Sequence, residues 1–282
     1  MTSPPPRIDA HQHFWKLDRG DYGWLTTDLA PLYSDFHPED LLPHLKETGI
    51  TGTILVQAAP TEAETDYMLS LAAAHDFILG VVGWTDFDRP DAPDRILEMS
   101  KHPKLVGLRP MIQDIKDDLW MLTPAVSNAL AAMTQAGLTF DALTLPRHLP
   151  PLLTLLEKHP NLTVVVDHGS KPEIRDGGFN AWANDMTEIA RETSAYCKLS
   201  GLVTEASENW TIGELKPYVD HLLIIFGPNR LIWGSDWPVC TLAASFTDWH
   251  AATVDLLSDL SADEVDRVWN LNAIEAYKLA PS

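Results

Sequence analysis

An α/β protein built as a single (β/α)8 barrel is the architecture this sequence predicts, and three observations predict it. Short β-rich runs alternate with helical patterns eight times along the chain. The third, sixth and eighth runs are nearly continuously apolar and rich in Val, Ile and Trp, as parallel strands buried on both faces are. The length, 282 residues, suits one such barrel, and no Pro/Gly/Ser linker divides it, so 1–282 is read as one domain. A doubly wound open sheet is the competing arrangement, but no G-x-G-x-x-G follows any strand.

The strands are expected at 8–14, 52–58, 78–86, 105–111, 138–143, 162–169, 195–201 and 231–237. Pro38-Glu39-Asp40 opens the first helix and Gly49 closes it. Thr61-Glu62-Ala63-Glu64 opens the second, with acids where the helix dipole favours them. Thr123-Pro124 starts another that ends at Gly137. Helical segments follow at 147–159, before Pro160, at 179–193 after a Gly-Gly hinge, and at 211–226, before Gly227-Pro228. A last helical region is expected over 245–279.

Composition narrows the function. The chain is 45% hydrophobic and 21% charged, enough for a large core and too apolar for disorder. The formal net charge of −20 at pH 7 argues against nucleic acid and against an anionic membrane surface as partners. Two cysteines, Cys197 and Cys240, make no disulfide framework and suit a reducing compartment. The N-terminal stretch 1–7 has no apolar signal segment, and the longest aliphatic runs are far short of the ~20 residues of a membrane span. A cytoplasmic location is expected.

In a barrel of this kind, chemistry sits at the C-terminal ends of the strands. Strand one ends Asp9-Ala10-His11-Gln12-His13, and a period of two puts His11 and His13 on one side, where they could share a metal. Strand eight ends Gly234-Ser235-Asp236-Trp237-Pro238, and barrel closure brings Asp236 beside that pair, as a metal ligand, a proton acceptor or both. Strand six ends Val166-Asp167-His168. Strand four ends in Arg109, which needs an anionic partner if buried, either a structural carboxylate or a substrate oxygen. Strand seven offers Lys198, able to reach the mouth or to snorkel to solvent. Lys171 follows strand six. Three of the ten tryptophans, Trp15, Trp84 and Trp237, lie at strand ends, where an indole could stack on a sugar ring or serve as core. Arg109, Lys171 and Lys198 together make a basic mouth on an acidic protein, suited to an oxygen-rich ligand.

This constellation resembles the amidohydrolase superfamily, in particular the sugar-acid lactonase branch with L-fuconolactonase, L-rhamnonolactonase and 2-pyrone-4,6-dicarboxylate lactonase. Five stretches carry the resemblance, in the family's order. They are Ile8-Asp9-Ala10-His11-Gln12-His13-Phe14-Trp15, Gly107-Leu108-Arg109-Pro110-Met111-Ile112-Gln113, Val166-Asp167-His168-Gly169-Ser170-Lys171-Pro172, the run from Lys198 to Ala206, and the run from Phe226 to Val239. The resemblance implies a carboxylic ester hydrolase of carbohydrate catabolism that opens a lactone, a small-molecule substrate. Asp236, His168 and Arg109 would be catalytic, and Lys171, Lys198, Trp15, Trp84 and Trp237 would bind substrate. Asp236 would take a proton from water, with the carbonyl polarised by a metal or by His168 and Arg109. Two-metal members of the superfamily use a lysine carbamate or Glu on strand four and a His on strand five. Here those places hold Arg109 and Asp141, so the expectation is one divalent ion, zinc, on His11, His13 and Asp236, with a metal-independent route left open. A metal-dependent decarboxylase or amide hydrolase on the same scaffold, and a non-catalytic ligand-binding barrel, are the alternatives. Oligomeric state is not legible.

Overall fold

The protein is described here by a computed structural model of residues 6–279. The segments 1–5 and 280–282, and with them most of the stretch read as lacking a signal segment, lie outside the described residues. Eight parallel strands form one sheet in sequential order. They are β1 (Ile8–Gln12), β2 (Gly52–Val56), β3 (Ile78–Gly83), β4 (Leu105–Leu108), β5 (Thr139–Ala142), β6 (Val164–Val166), β7 (Tyr196–Leu199) and β8 (Leu231–Trp233). The ring closes just beyond β8. Gln12 bridges Trp237 in parallel, the His13 N–H donates to the Trp237 carbonyl at 2.7 Å, and the Asp236 N–H donates to the His11 carbonyl at 2.8 Å. The chain is therefore a single (β/α)8 barrel.

All eight expected strands exist, and each stops short of its expected end. The residues at those ends leave the ladder to line the mouth, so their apolar neighbours extend the sequence pattern past the hydrogen-bonded strand.

The helices are α1 (Pro38–Thr48), α2 (Glu62–Ala74), α3 (Ala92–Met99), α4 (Pro124–Ala136), α5 (Leu149–Lys158), α6 (Phe179–Glu192), α7 (Leu202–Glu205), α8 (Ile212–Phe226), α9 (Phe246–Leu256), α10 (Ala262–Asp266) and α11 (Asn272–Tyr277). Thr61 and Thr123 cap α2 and α4, their side chains accepting from the Glu64 and Val126 N–H groups. Helices α3 and α7 lie outside the segments that the sequence marks as helical, and α7 is a single turn. Helix α3 carries clear signals of its own. It is short, it is flanked by prolines, and it buries Ala92, Ile96 and Met99 at helical spacing. The expected 245–279 helix is three helices, with a π-turn over 267–271 between α10 and α11.

Of three apolar clusters, one, around Trp15, lies under the loop after β1, and the other two make up the barrel core. The larger lies between the strands and the outer helices. The smaller joins Ala10, Val56, Val82, Val165 and Ile232, from five strands, with Ala276 and Tyr277 of α11. Side chains from strands all around the ring meet only inside it. Helix α11 therefore closes the barrel floor, and Thr139 on β5 donates its hydroxyl to the Ala276 carbonyl at 2.6 Å.

Candidate active site

The site forms where β1, β4, β6 and β8 end. Along β1, Asp9 pairs with Thr53 and Gln12 with Leu55, so three residues advance against two on β2. This bulge breaks the alternation of faces. Ala10 joins the interior cluster, and the next residue, His11, also turns inward to meet Lys198. Asp9 pins the bulge to β8. Its carboxylate accepts the His11 N–H at 3.1 Å, the Ser235 N–H at 2.8 Å and the Ser235 hydroxyl at 2.6 Å, while burial pushes its pKa up to about 7.

Asp236 and His168 stand just beyond their strands in left-handed backbone, with φ of 58° and 54°. Non-glycine residues rarely adopt that region, and the strain is tolerated mostly at functional sites. His168 opens a run with positive φ through Gly169, Ser170 and Lys171. The turn is held by the Trp182 indole, which donates to the Gly169 carbonyl at 2.7 Å, and by a Thr144–Ser170 hydroxyl pair at 2.8 Å. The His168 Nδ1 lies 2.8 Å from the Ser200 hydroxyl. Two glycines make room for the imidazoles. A Cβ on Gly201 would lie 2.6 Å from His168 Nδ1, and one on Gly234 would lie 2.7 Å from His11 Cβ.

These elements bring together five of the expected residues. Asp236 Oδ1 lies 3.3 Å from His13 Nε2 and 3.7 Å from His11 Nε2. The His11 ring centre is 4.9 Å from that of His13 and 4.4 Å from that of His168. Arg109 Nη1 approaches His11 Nε2 at 3.2 Å and donates to Asp167 Oδ2 at 3.3 Å, and its other terminal nitrogen donates to the Gln57 carbonyl. The anion that a buried Arg109 requires is thus Asp167. Among the described residues, the Nε–H of Arg109 has no partner. His13, Arg109, His168, Lys171 and Asp236 line a cavity of about 260 Å³, and His11 forms a fully buried layer beneath them.

Burial governs the charge states. It lowers all three histidines: His168 to about 4, His13 below its ordinary value, and His11 well below, with the Lys198 charge adding to the effect on His11. Burial alone would raise Asp236, but the neighbouring His168, His13 and His11 hold it well below the usual carboxylate range. The cavity thus presents an anionic carboxylate among neutral imidazoles.

Four expected substrate contacts fall elsewhere. Lys198 is fully buried below the cavity, with Nζ 2.5 Å from Asp141 Oδ2, 3.0 Å from Asp167 Oδ1 and 3.2 Å from His11 Nδ1. Its position is midway along the barrel, where counter-ions rather than solvent receive the ammonium. Trp15 is fully buried, donates to the Ser34 carbonyl and packs on Tyr22, Trp24 and Phe36. Trp237 is buried against Phe14 and Phe36. Trp84 is half-buried outside the cavity, its backbone tied on both sides to the Thr65 hydroxyl. Sequence reasoning missed Trp24 and Asp114 on the cavity wall and gave Gln113, which closes one of the five stretches, no role in the site. The available signal was the loops after β1, which carries Trp24, and after β4, which carries Gln113 and Asp114, since βα-loops build the working face of a barrel.

Among the described residues, the ligand atoms of His11, His13 and Asp236 lie within 4.8 Å of one another and could hold a metal. The His13 tautomer bears on this. Its Nδ1 lies 2.7 Å from the Val56 carbonyl and donates to it, so in the neutral ring the Nε2 lone pair faces the Asp236 carboxylate at 3.3 Å. Two acceptors at that distance suit a cation between them. The site residues therefore fit a divalent ion.

Comparison with known proteins agrees with this geometry. The family model described as amidohydrolase matches residues 8–279. An L-fucono-1,5-lactonase of Burkholderia ambifaria is 43% identical over 97% of this chain and 96% of its own length. A second L-fucono-1,5-lactonase, from Burkholderia multivorans, is 35% identical over 97% of this chain and 96% of its own length. The crystal structure of a zinc-bound amidohydrolase from Burkholderia multivorans superposes with a TM-score of 0.93 at 33% identity, covering 98% of this chain and all of that one. Matched over nearly its whole length by family model, relatives and fold alike, the chain belongs to the amidohydrolase family.

Proposed function

We infer that this chain is a lactone hydrolase acting on a sugar-acid lactone. The observation that carries the reading is Asp236: a buried, anionic carboxylate in a cavity it shares with neutral His13 and His168 and with Arg109. The names of the two bacterial relatives supply the substrate class.

The chemistry follows from the side chains. The lactone carbonyl oxygen is received by N–H donors. Arg109 lines the cavity, and His168 carries its proton on Nε2 when the Ser200 hydroxyl donates to Nδ1. One such donor is worth about 3 kcal/mol in an acyl-transfer transition state. Asp236 accepts a proton as water adds to the carbonyl carbon. The tetrahedral adduct then collapses with cleavage of the bond to the ring oxygen, and Asp236 returns the proton to that oxygen. The product is a hydroxy acid, which ionises and acidifies the medium. His11, His13 and Asp236 would hold a divalent ion, and zinc suits two imidazoles and one carboxylate. Such an ion supplies Lewis acidity to a carbonyl oxygen. Lys171 at the cavity rim offers a donor to the substrate hydroxyls. Its nearest anion, Glu205, is 3.9 Å away.

The test is a panel of aldonolactones assayed by acid release. Turnover of at least one sugar lactone is expected. Failure across 1,4- and 1,5-lactones, with release of CO₂ from aromatic acids instead, would replace the reading with decarboxylation.

A further inference from the structure

The long segment between β1 and α1, residues 16–37, carries a small apolar cluster of its own. Tyr22, Leu25 and Leu32 pack there with Trp15, Ala58 and Ala59, and Trp24, Leu29 and Val239 lie against them. Trp24, Leu29, Ala58 and Val239 also line the cavity, so this cluster is one of its walls.

A buried carboxylate ties that wall down. Glu64, in the first turn of α2, is fully buried. The Tyr22 hydroxyl donates to its Oε2 at 2.6 Å and the Ala58 N–H to its Oε1 at 3.3 Å. Arg19 lies 3.7 Å from the same carboxylate and over the Tyr67 ring. The other end of the Ala58 residue completes the tie, since its carbonyl accepts the Trp24 indole N–H at 2.7 Å. One residue at the end of β2 thus receives both Glu64 and Trp24. Because the indole N–H is spent on Ala58, Trp24 offers the cavity only its ring carbons. A sugar lactone meets such a surface through C–H groups, not hydroxyls.

Resting on the lactonase reading, we propose that Trp24 is a specificity-determining wall for the sugar ring and that Glu64 and Tyr22 are positioning residues that hold it there. The wall touches no reacting atom, so it acts on substrate binding, shared by ground and transition states, rather than on the chemical step.

The test uses Trp24→Ala, Trp24→Phe and Tyr22→Phe in the full-length protein, with L-fuconolactone as probe. Trp24→Ala is expected to raise KM about tenfold or more with kcat within about threefold, and Trp24→Phe to recover most of the loss. Tyr22→Phe should raise KM severalfold and speed amide hydrogen exchange across 16–37 while leaving β1 to β8 protected. Unchanged KM in both Trp24 variants, or a kcat loss at constant KM, overturns the role of the wall. Wild-type exchange in Tyr22→Phe overturns the latch. If the wild-type protein opens no lactone, the lactonase reading fails, while the exchange comparison still decides the latch. Should Trp24→Ala not fold, Trp24→Leu, which keeps bulk without an aromatic face, carries the KM comparison, with a severalfold rise expected and an unchanged KM overturning the wall.

Discussion

The ammonium of Lys198 on β7 sits 2.5 Å from the Asp141 carboxylate on β5, both side chains fully buried inside the barrel. The Tyr277 hydroxyl of α11 donates to the same Asp141 at 2.9 Å, and Lys198 continues upward to Asp167 and His11. A chain of ion pairs and hydrogen bonds thus runs from the barrel floor to the layer under the cavity. Its loss would leave anions without counter-charge in a medium where that is expensive.

Lys198→Met should therefore act mainly on stability. Removing one partner of a buried ion pair costs about 3–5 kcal/mol, read as a lower urea midpoint. A variant of wild-type stability with only a raised KM would instead return Lys198 to the role of substrate contact.

Asp236→Asn should fold normally and lose most turnover. General-base catalysis is worth about 10²–10⁴ in rate, so kcat should fall by that order with the melting temperature little changed. Near-wild-type kcat would remove Asp236 from the proton transfer.

Metal occupancy is measured by elemental analysis before and after chelation. One zinc per chain is expected to bind on reconstitution, and His11→Ala should abolish it. Activity of the metal-free protein divides the polarisation of the carbonyl. Full turnover assigns it to Arg109 and His168, and lost turnover that zinc restores assigns it to the ion.

Glu64 gives a pH prediction with a defined sign. Burial raises its pKa from 4.5 to about 7. Between those values the folded state holds a proton that the unfolded state releases, so this group's contribution to stability is full below about 4.5 and is lost as pH rises to about 7. The whole loss is roughly 3 kcal/mol. Glu64→Gln does not titrate, so its stability relative to wild type should climb across that window and level off above it. A constant difference from pH 4.5 to 8 would show that Glu64 is ionised throughout.

The sequence by itself determined the strand count, the order of the strands, most of the helix boundaries and the identity of the groups at the strand ends. Each of these is written locally. Apolar periodicity marks a strand, Thr61 and Thr123 mark helix starts, and a polar residue closing an apolar run marks a mouth position. What the tertiary structure decided is depth and partnership. Periodicity says that Lys198, Trp15 and Trp237 lie near strand ends. It does not say that Asp141 and Asp167 stand opposite Lys198, or that Phe36 folds back over both tryptophans. The β1 bulge could not be read either, because it is a mismatch between two paired strands and belongs to neither alone. Trp24 escaped notice for a related reason: its loop has no period, and contacts with residues remote in the chain, Trp24 with Ala58 and Tyr22 with Glu64, 42 residues away, accompany its place on the cavity wall. Local pattern fixes which face a residue takes, whereas the distance at which two remote side chains meet is set by closure of the whole barrel.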